Sequence, residues 1–137
     1  MAIVNIRDTG RNSAKTSDVR ELATKVQKPS DTEAITAANT ITAAESGTRF
    51  VMNTATARIQ TLPTPAAGLE YWFYVGATEP TSSHTIVTAS SANIIVGNVS
   101  SPEDAAGSVA TVTDADTISF VANKAVHGDF VHVWSDG

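Results

Sequence analysis

The residues best suited to chemistry are three histidines, His84, His127 and His132. Imidazole is the commonest metal ligand and transfers protons near neutral pH. His127 and His132 are five positions apart, which is no recognised spacing for zinc ligands. We therefore expect structural histidines with satisfied hydrogen bonds, and we keep a metal site formed across a symmetry axis as the alternative.

Two acidic pairs could supply carboxylates, Glu103 with Asp104 and Asp114 with Asp116. On an extended segment, Asp114 and Asp116 lie on the same side, an arrangement that could bind Ca²⁺. Solvated turns also explain both pairs, and we favour that interpretation. No spacing selects two carboxylates facing a groove, as hydrolysis of a polysaccharide requires.

Other catalytic patterns are missing from the sequence. The chain has no cysteine, which excludes disulfides, thiolate zinc sites and cysteine catalysis. It contains neither a G-x-S-x-G elbow nor the glycine patterns of phosphate-binding loops. We therefore predict that the protein is not an enzyme and needs no cofactor and no metal.

The elements that must position these residues are mostly strands. The 137 residues include fourteen Val, nine Ile and nineteen Thr but only three Leu, and β-branched residues favour pleated strands. Clusters of Gly, Pro, Ser and Asp recur about every ten residues, as in sandwiches and barrels. We predict an all-β domain over residues 34–137, an antiparallel β-sandwich or jelly roll of about eight short strands. The predicted strands are Arg49–Met52, Arg58–Leu62, Tyr71–Val75, Thr85–Val87, Asn93–Val96, Val109–Val112, Thr117–Val121 and Phe130–Trp134.

Half of the aromatic residues stand together as Tyr71-Trp72-Phe73-Tyr74. On a strand, Tyr71 and Phe73 face one side and Trp72 and Tyr74 face the other. One side belongs to the core. The other side is either buried as well, which we favour, or forms a subunit interface or a platform for sugars.

Residues 1–33 are predicted to form a polar arm that lacks aromatic residues and cannot build its own core. Within it, an apolar stripe at helical spacing predicts a short amphipathic helix over about residues 18–28, capped at Asp18 and ended by Pro29. So short a helix needs a surface to lie on. A partly disordered terminus is the plainer interpretation, but we favour an arm that docks on a partner. The predicted docking residues are Ile3, Ile6, Arg7, Arg11, Lys15, Val19, Arg20, Leu22 and Val26.

The charge is unevenly distributed. Residues 1–28 hold six Lys/Arg and three acids, a net of +3, whereas residues 29–137 hold three Lys/Arg and eleven acids, a net of −8. An acidic body argues against nucleic-acid binding, which needs concentrated positive charge. We expect no signal peptide and no membrane span, and synthesis in a cytoplasm.

From about Asn39 to Gly137 the sequence resembles small structural proteins of tailed-bacteriophage virions, both head-decoration (cement) proteins and fibre modules. The resemblance is carried by the segments TITAAESGTRFVMN, IQTLPTPAAGLEYWFYVGA, TSSHTIVT, ANIIVGNV and DTISFVANKAVHGDFVHVWSDG. A GD-[FW]-V-x-V-x-SDG pattern is matched by Gly128, Asp129, Phe130, Val131, Val133, Ser135, Asp136 and Gly137. The resemblance implies an all-β fold and no catalytic residues.

An arm joined to one β-domain, without long repeats, favours a cement protein over a fibre module. We therefore expect a protein on the outer surface of a phage head that binds the major capsid protein, as a homotrimer, and stabilises the assembled shell. The alternative is a receptor- or glycan-binding module of a tail fibre or spike, using the aromatic residues and His84.

Overall fold

The computed structural model describes residues 31–90, 92–100 and 109–137. The predicted arm up to residue 30, its helix over about 18–28, all nine predicted docking residues and the Glu103–Asp104 pair lie outside these ranges. The described residues form strands β1 (Thr32–Ile35), β2 (Asn39–Thr40), β3 (Arg49–Met52), β4 (Ile59–Thr61), β5 (Glu70–Val75), β6 (His84–Val87), β7 (Ile95–Ser100), β8 (Val109–Ala115), β9 (Thr117–Phe120) and β10 (Phe130–Trp134), and a 3-10 helix, Ala43–Glu45.

The strands alternate between two four-stranded sheets. The first sheet has the order β1-β3-β5-β10 and the second the order β2-β4-β6-β9, while β7 and β8 pair with each other as a separate ribbon. From β1 to β6, successive strands therefore belong to the first and the second sheet in turn. β9 then pairs antiparallel with β6 at one edge of the second sheet, and β10 pairs antiparallel with β5 at one edge of the first.

The pairing corrects part of the predicted architecture. The all-β class is confirmed, and all eight predicted strands overlap strands of the structure. However, the pairs β1–β3, β3–β5, β2–β4 and β4–β6 are parallel. The prediction of antiparallel pairing is wrong for these four, because each turn leads the chain into the opposite sheet instead of back beside the strand it has left. A jelly roll is built from antiparallel strands, so these pairs depart from it.

The turns that follow the neighbouring parallel strands β3 and β5 lie in close contact. The side chain of Asn53 accepts a hydrogen bond from the backbone N–H of Thr78 at 2.8 Å, and the N–H of Gly76 donates to the carbonyl of Met52 at 2.8 Å. A Cβ atom at position 76 would lie 2.9 Å from the Asn53 side chain, closer than van der Waals contact allows. Any larger residue here would force the Asn53 side chain or one of the two turns to shift, so the close approach of the turns favours glycine.

The two sheets contribute to one hydrophobic core. It combines Phe50, Met52, Phe73 and other residues of the first sheet with Ile86 and Phe120 of the second. The rings of Phe50 and Phe73 are fully buried and stacked with their centroids 5.3 Å apart. Both sheets thus bury one face of alternating residues, as the period-two pattern of their strands requires.

Candidate functional site

The outer face of the first sheet carries a row of aromatic side chains, which we call the aromatic surface. Trp72 and Tyr74 are half-buried on the central strand β5, and Phe130 and Trp134 on the edge strand β10 are 58% and 67% exposed. His132 lies between the last two on the same face. In the β5–β10 pairing Phe130 lies opposite Tyr74, and His132 lies opposite Trp72. Two strands distant in sequence thus build one continuous surface.

The rings of this surface stack on one another across the two strands. The imidazole of His132 lies 3.9 Å from the indole of Trp72, with the ring planes 6° apart. The rings of Tyr74 and Phe130 lie 5.7 Å apart with their planes at 25°. One face of Trp72 is thus covered by imidazole. Such contacts favour this arrangement of the side chains, by about 0.5–1.5 kcal/mol for each aromatic pair.

A carboxylate lies at one end of the aromatic surface. Oε2 of Glu70 lies 3.4 Å from Nε2 of His132, and Glu70 pairs with Trp134 in the strand register. Both side chains are partly exposed, so the interaction contributes little to stability in water. Its consequence is positional, because the carboxylate favours the imidazole orientation that stacks on Trp72.

The opposite face of β5 belongs to the core. Tyr71 and Phe73 are buried, whereas Trp72 and Tyr74 lie on the aromatic surface. The hydroxyl of Tyr71 donates to the carbonyl of Thr42 at 3.0 Å. Burial raises the pKa of the Tyr71 phenol above its ordinary value of 10.0, and the nearby Glu45 carboxylate adds to the increase.

His84 is a buried part of β6 and not of an exposed loop. Its Nδ1 accepts a hydrogen bond from the N–H of Arg58 at 3.1 Å, and its Nε2 lies 2.9 Å from the carbonyl oxygen of Thr54. Nδ1 must be the unprotonated nitrogen to accept, which assigns the proton to Nε2. With both nitrogens used and the side chain buried, His84 belongs to no binding surface. Its place in the alternative glycan-binding prediction is wrong.

The remaining polar candidates lie on different elements, with Asp114 in strand β8. The N–H of His127 donates to Oε1 of Glu79 at 3.1 Å, and Oδ1 of Asp116 accepts from the hydroxyl of Thr117 at 2.8 Å. Asp114 adopts a left-handed backbone (φ 59°) next to an irregularity in the β7–β8 pairing. Within the described ranges, no group of three or more His, Asp or Glu side chains is placed to hold a metal ion.

A second exposed apolar surface lies on the β7–β8 ribbon. Ile95, Gly97 and Val99 alternate along β7 and, with Val112 opposite Gly97, form one largely apolar face. Val99 is 55% exposed, and Val96 on the other face is 69% exposed. A two-stranded ribbon is marginally stable without a third strand or a packed face. Its two strands overlap predicted strands, but the sequence gives no sign that they pair outside both four-stranded sheets.

Comparisons with protein-family models, with curated proteins and with solved structures gave no match. In the part of the chain that the structure describes, none of the helices has the length and apolar character that crossing a membrane demands. The features that bear on function are therefore the aromatic surface, the β7–β8 ribbon and the sequence outside the described ranges.

Proposed function

We propose that this chain is a structural protein of a phage virion, a decoration (cement) protein that binds the outer surface of the assembled head as a homotrimer. The observation that carries the proposal is the exposed aromatic surface of β5 and β10. Contiguous exposed aromatic side chains are typical of protein interaction sites, in which Trp and Tyr anchor the contact. The sequence resemblance supplies the kind of assembly.

The β-domain, residues 34–137, suits a purely structural role. Its two sheets share one core built from described residues, an arrangement consistent with the proposed β-sandwich. The only buried histidine among the described residues, His84, is occupied by backbone hydrogen bonds. A protein of this kind stabilises a shell by mass action, because it binds the assembled lattice and not the separate subunits.

Attachment is assigned to the arm up to residue 30, because the predicted boundary at residue 33 is corrected by Thr32 and Glu33, which belong to β1. Three arms on one trimer would multiply weak contacts with the major capsid protein. The arm's net charge of +3 over residues 1–28 contrasts with the −8 of the rest, which separates an attachment segment from an acidic body. We propose contact with neither nucleic acid nor membrane.

The test is co-sedimentation with empty shells of the phage that encodes the chain. We expect the full chain to sediment with expanded shells and to raise the temperature at which they disrupt. A variant without residues 1–28 should keep its β-sheet circular dichroism and remain in the supernatant. If that variant decorates shells at the occupancy of the full chain, the assigned role of the arm is wrong.

A glycan-binding fibre module is the second candidate, favoured by the exposed rings of Phe130 and Trp134. Sugars stack on ring faces, and the Trp72 face directed to β10 is already covered by His132. This stacking makes the aromatic surface better suited to a protein partner. Binding on a glycan array that is lost in Trp72→Ala, with the fold intact, would reverse the preference.

A further inference from the structure

We propose that His84 is a pH-sensitive switch inside the fold. While its ring carries one proton, it holds the corner between β3 and β4, residues 53–58, against the start of β6. When the ring takes up a second proton, that hold is released. The inference goes beyond the proposed function, because it concerns the response of the protein itself to acid and requires no partner.

The ring of His84 connects the two ends of this corner. His84 is the first residue of β6 and is only 1% exposed. Its Nδ1 accepts the backbone N–H of Arg58 at 3.1 Å, and its Nε2 donates to the carbonyl of Thr54 at 2.9 Å. The two bonds span 26 and 30 positions of the sequence, so one side chain fixes the corner to a strand that follows much later.

These hydrogen bonds are compatible with one protonation state of the ring. Nδ1 accepts from a backbone N–H and so carries no proton, whereas Nε2 faces a carbonyl, which can only accept, and so carries one. An imidazolium has a proton on both nitrogens and no acceptor. A second proton, on Nδ1, would point at the N–H of Arg58, and both donors would lose their hydrogen bond next to a buried charge.

The charges beside the ring also oppose a second proton. His84 contacts Arg58 and Thr54 in the corner, and on β9 it lies opposite Phe120. Of these groups only Arg58 is charged, and its guanidinium is held in place by two backbone carbonyls, at 3.0 and 2.9 Å. Among pairs of described residues, no carboxylate forms an ion pair with His84. A charge on the buried ring would therefore meet a positive neighbour and no compensating negative one.

Release is expected at the Arg58 end of the corner. The other end is tied to the loop before β6 by a bond from the N–H of Thr78 to the side chain of Asn53, at 2.8 Å. The acceptor of the Arg58 N–H, in contrast, is the His84 ring. Protonation should therefore expose the Arg58 amide to water while the rest of the corner stays in place.

Hydrogen exchange combined with NMR of the ring tests the switch without a substitution at His84. The full chain with His127→Gln and His132→Gln keeps one histidine, so its ring-nitrogen signals belong to His84 alone. A histidine in an unfolded chain takes up its second proton at about pH 6.5. Because opening is coupled to this uptake, the protection of the Arg58 amide should fall about tenfold per pH unit below about pH 6. The Gly76 amide, which donates to a backbone carbonyl, is the internal control and should not follow this trend.

We expect the closed form of the protein to show a proton on Nε2 of His84 only, down to the pH at which the Arg58 amide exchanges freely. A ring that gains its second proton while the Arg58 amide stays protected would overturn the proposal. Equal losses of protection at Arg58 and Gly76 would overturn it as well, because the whole fold and not the corner would then respond to acid.

The pH dependence of stability gives a second test. The stability contributed by the neutral ring is fully present above about pH 6.5 and is lost as the pH falls below that value. From pH 7 to pH 5, the ratio of unfolded to folded natural protein should therefore rise by up to about 25-fold more than that of His84→Gln, whose side chain takes up no proton. Urea denaturation of both proteins measures the ratio, and parallel curves would overturn the proposal. If His84→Gln does not fold, the exchange measurement decides alone.

Discussion

The imidazole of His132 lies face to face with the indole of Trp72, 3.9 Å away and within 6° of parallel. The two residues stand sixty positions apart in the sequence and meet because β10 pairs with β5. Their contact turns separate aromatic residues of two strands into one rigid surface. A surface ordered before binding loses less side-chain entropy when a partner covers it.

Replacing an exposed ring of this surface should weaken assembly without unfolding the subunit. We expect Phe130→Ser to lower the average mass in solution towards that of a single chain, because it removes apolar area from the proposed contact. Light scattering measures the mass, and circular dichroism checks the fold. Val121→Ser is the matched control, since Val121 is 51% exposed but lies outside the aromatic surface. Equal effects of the two changes would contradict the assignment.

The opposite outcome is expected for a buried ring of the same sheet, on the neighbouring strand β5. Phe73 is fully buried and stacked on Phe50, so Phe73→Ala should lower the free energy of unfolding by about 3–5 kcal/mol. Urea denaturation measures the loss. Phe130→Ala, the same change at an exposed site, loses the ring contact with Tyr74 and should lower the stability of the isolated subunit by only about 0.5–1.5 kcal/mol. Similar losses at the two positions would mean that the faces of the first sheet are misassigned.

A methyl group at position 76 should strain the stacked turns. Gly76→Ala places its Cβ 2.9 Å from the Asn53 side chain, and we expect a loss of about 1–3 kcal/mol, as for other overpacked sites. Gly97→Ala is the control because a Cβ there meets nothing within 4 Å. Thermal unfolding of the two variants at equal protein concentration compares them. An unchanged melting temperature for Gly76→Ala would show that the turns separate easily.

Stability should fall at alkaline pH through Tyr71. Its pKa is raised in the folded protein, so the folded state holds the phenolic proton more tightly than the unfolded chain. The stability that the protonated phenol contributes is fully present below the ordinary pKa of 10.0 and is lost as the pH rises through the higher pKa of the folded state. At pH 8, Tyr71→Phe should lower the free energy of unfolding by about 0.5–1.5 kcal/mol, because the substitution removes the hydrogen bond to the carbonyl of Thr42.

The stability difference between the natural protein and Tyr71→Phe should shrink as the pH rises above 10. The natural protein loses stability there because its unfolded chain ionises Tyr71 more easily than the folded state does, whereas phenylalanine has no proton to lose. Urea denaturation of both proteins from pH 8 to 11 measures the difference. Parallel stability curves over this range would contradict the assigned role of Tyr71.

The sequence predicts single strands well and their pairing poorly. The alternation in Tyr71–Val75 separates core from surface residues because side chains of a strand alternate between faces. The same alternation is produced by parallel and antiparallel neighbours, so it could not reveal the parallel pairs of β3 and β5. β1 was missed because Ile35 is its only buried residue, which leaves no periodic pattern.

The aromatic surface was only half predictable. The alternation of side chains along a strand puts Trp72 and Tyr74 on one face of β5, and it also puts Phe130, His132 and Trp134 on one face of β10. Joining the two sets needs the β5–β10 register, which depends on long-range packing and not on local sequence. The separation of the β7–β8 ribbon from both sheets likewise has no local signal.

The central claim is that the full chain decorates an assembled shell. The most direct measurement is quantitative co-sedimentation of the full chain with empty, expanded shells, combined with its mass by light scattering. We predict saturable binding by a species of about three times the 14.3 kDa chain mass, and no binding to unassembled capsid protein. A chain that remains in the supernatant at every concentration, or that binds unassembled subunits equally well, would contradict the account.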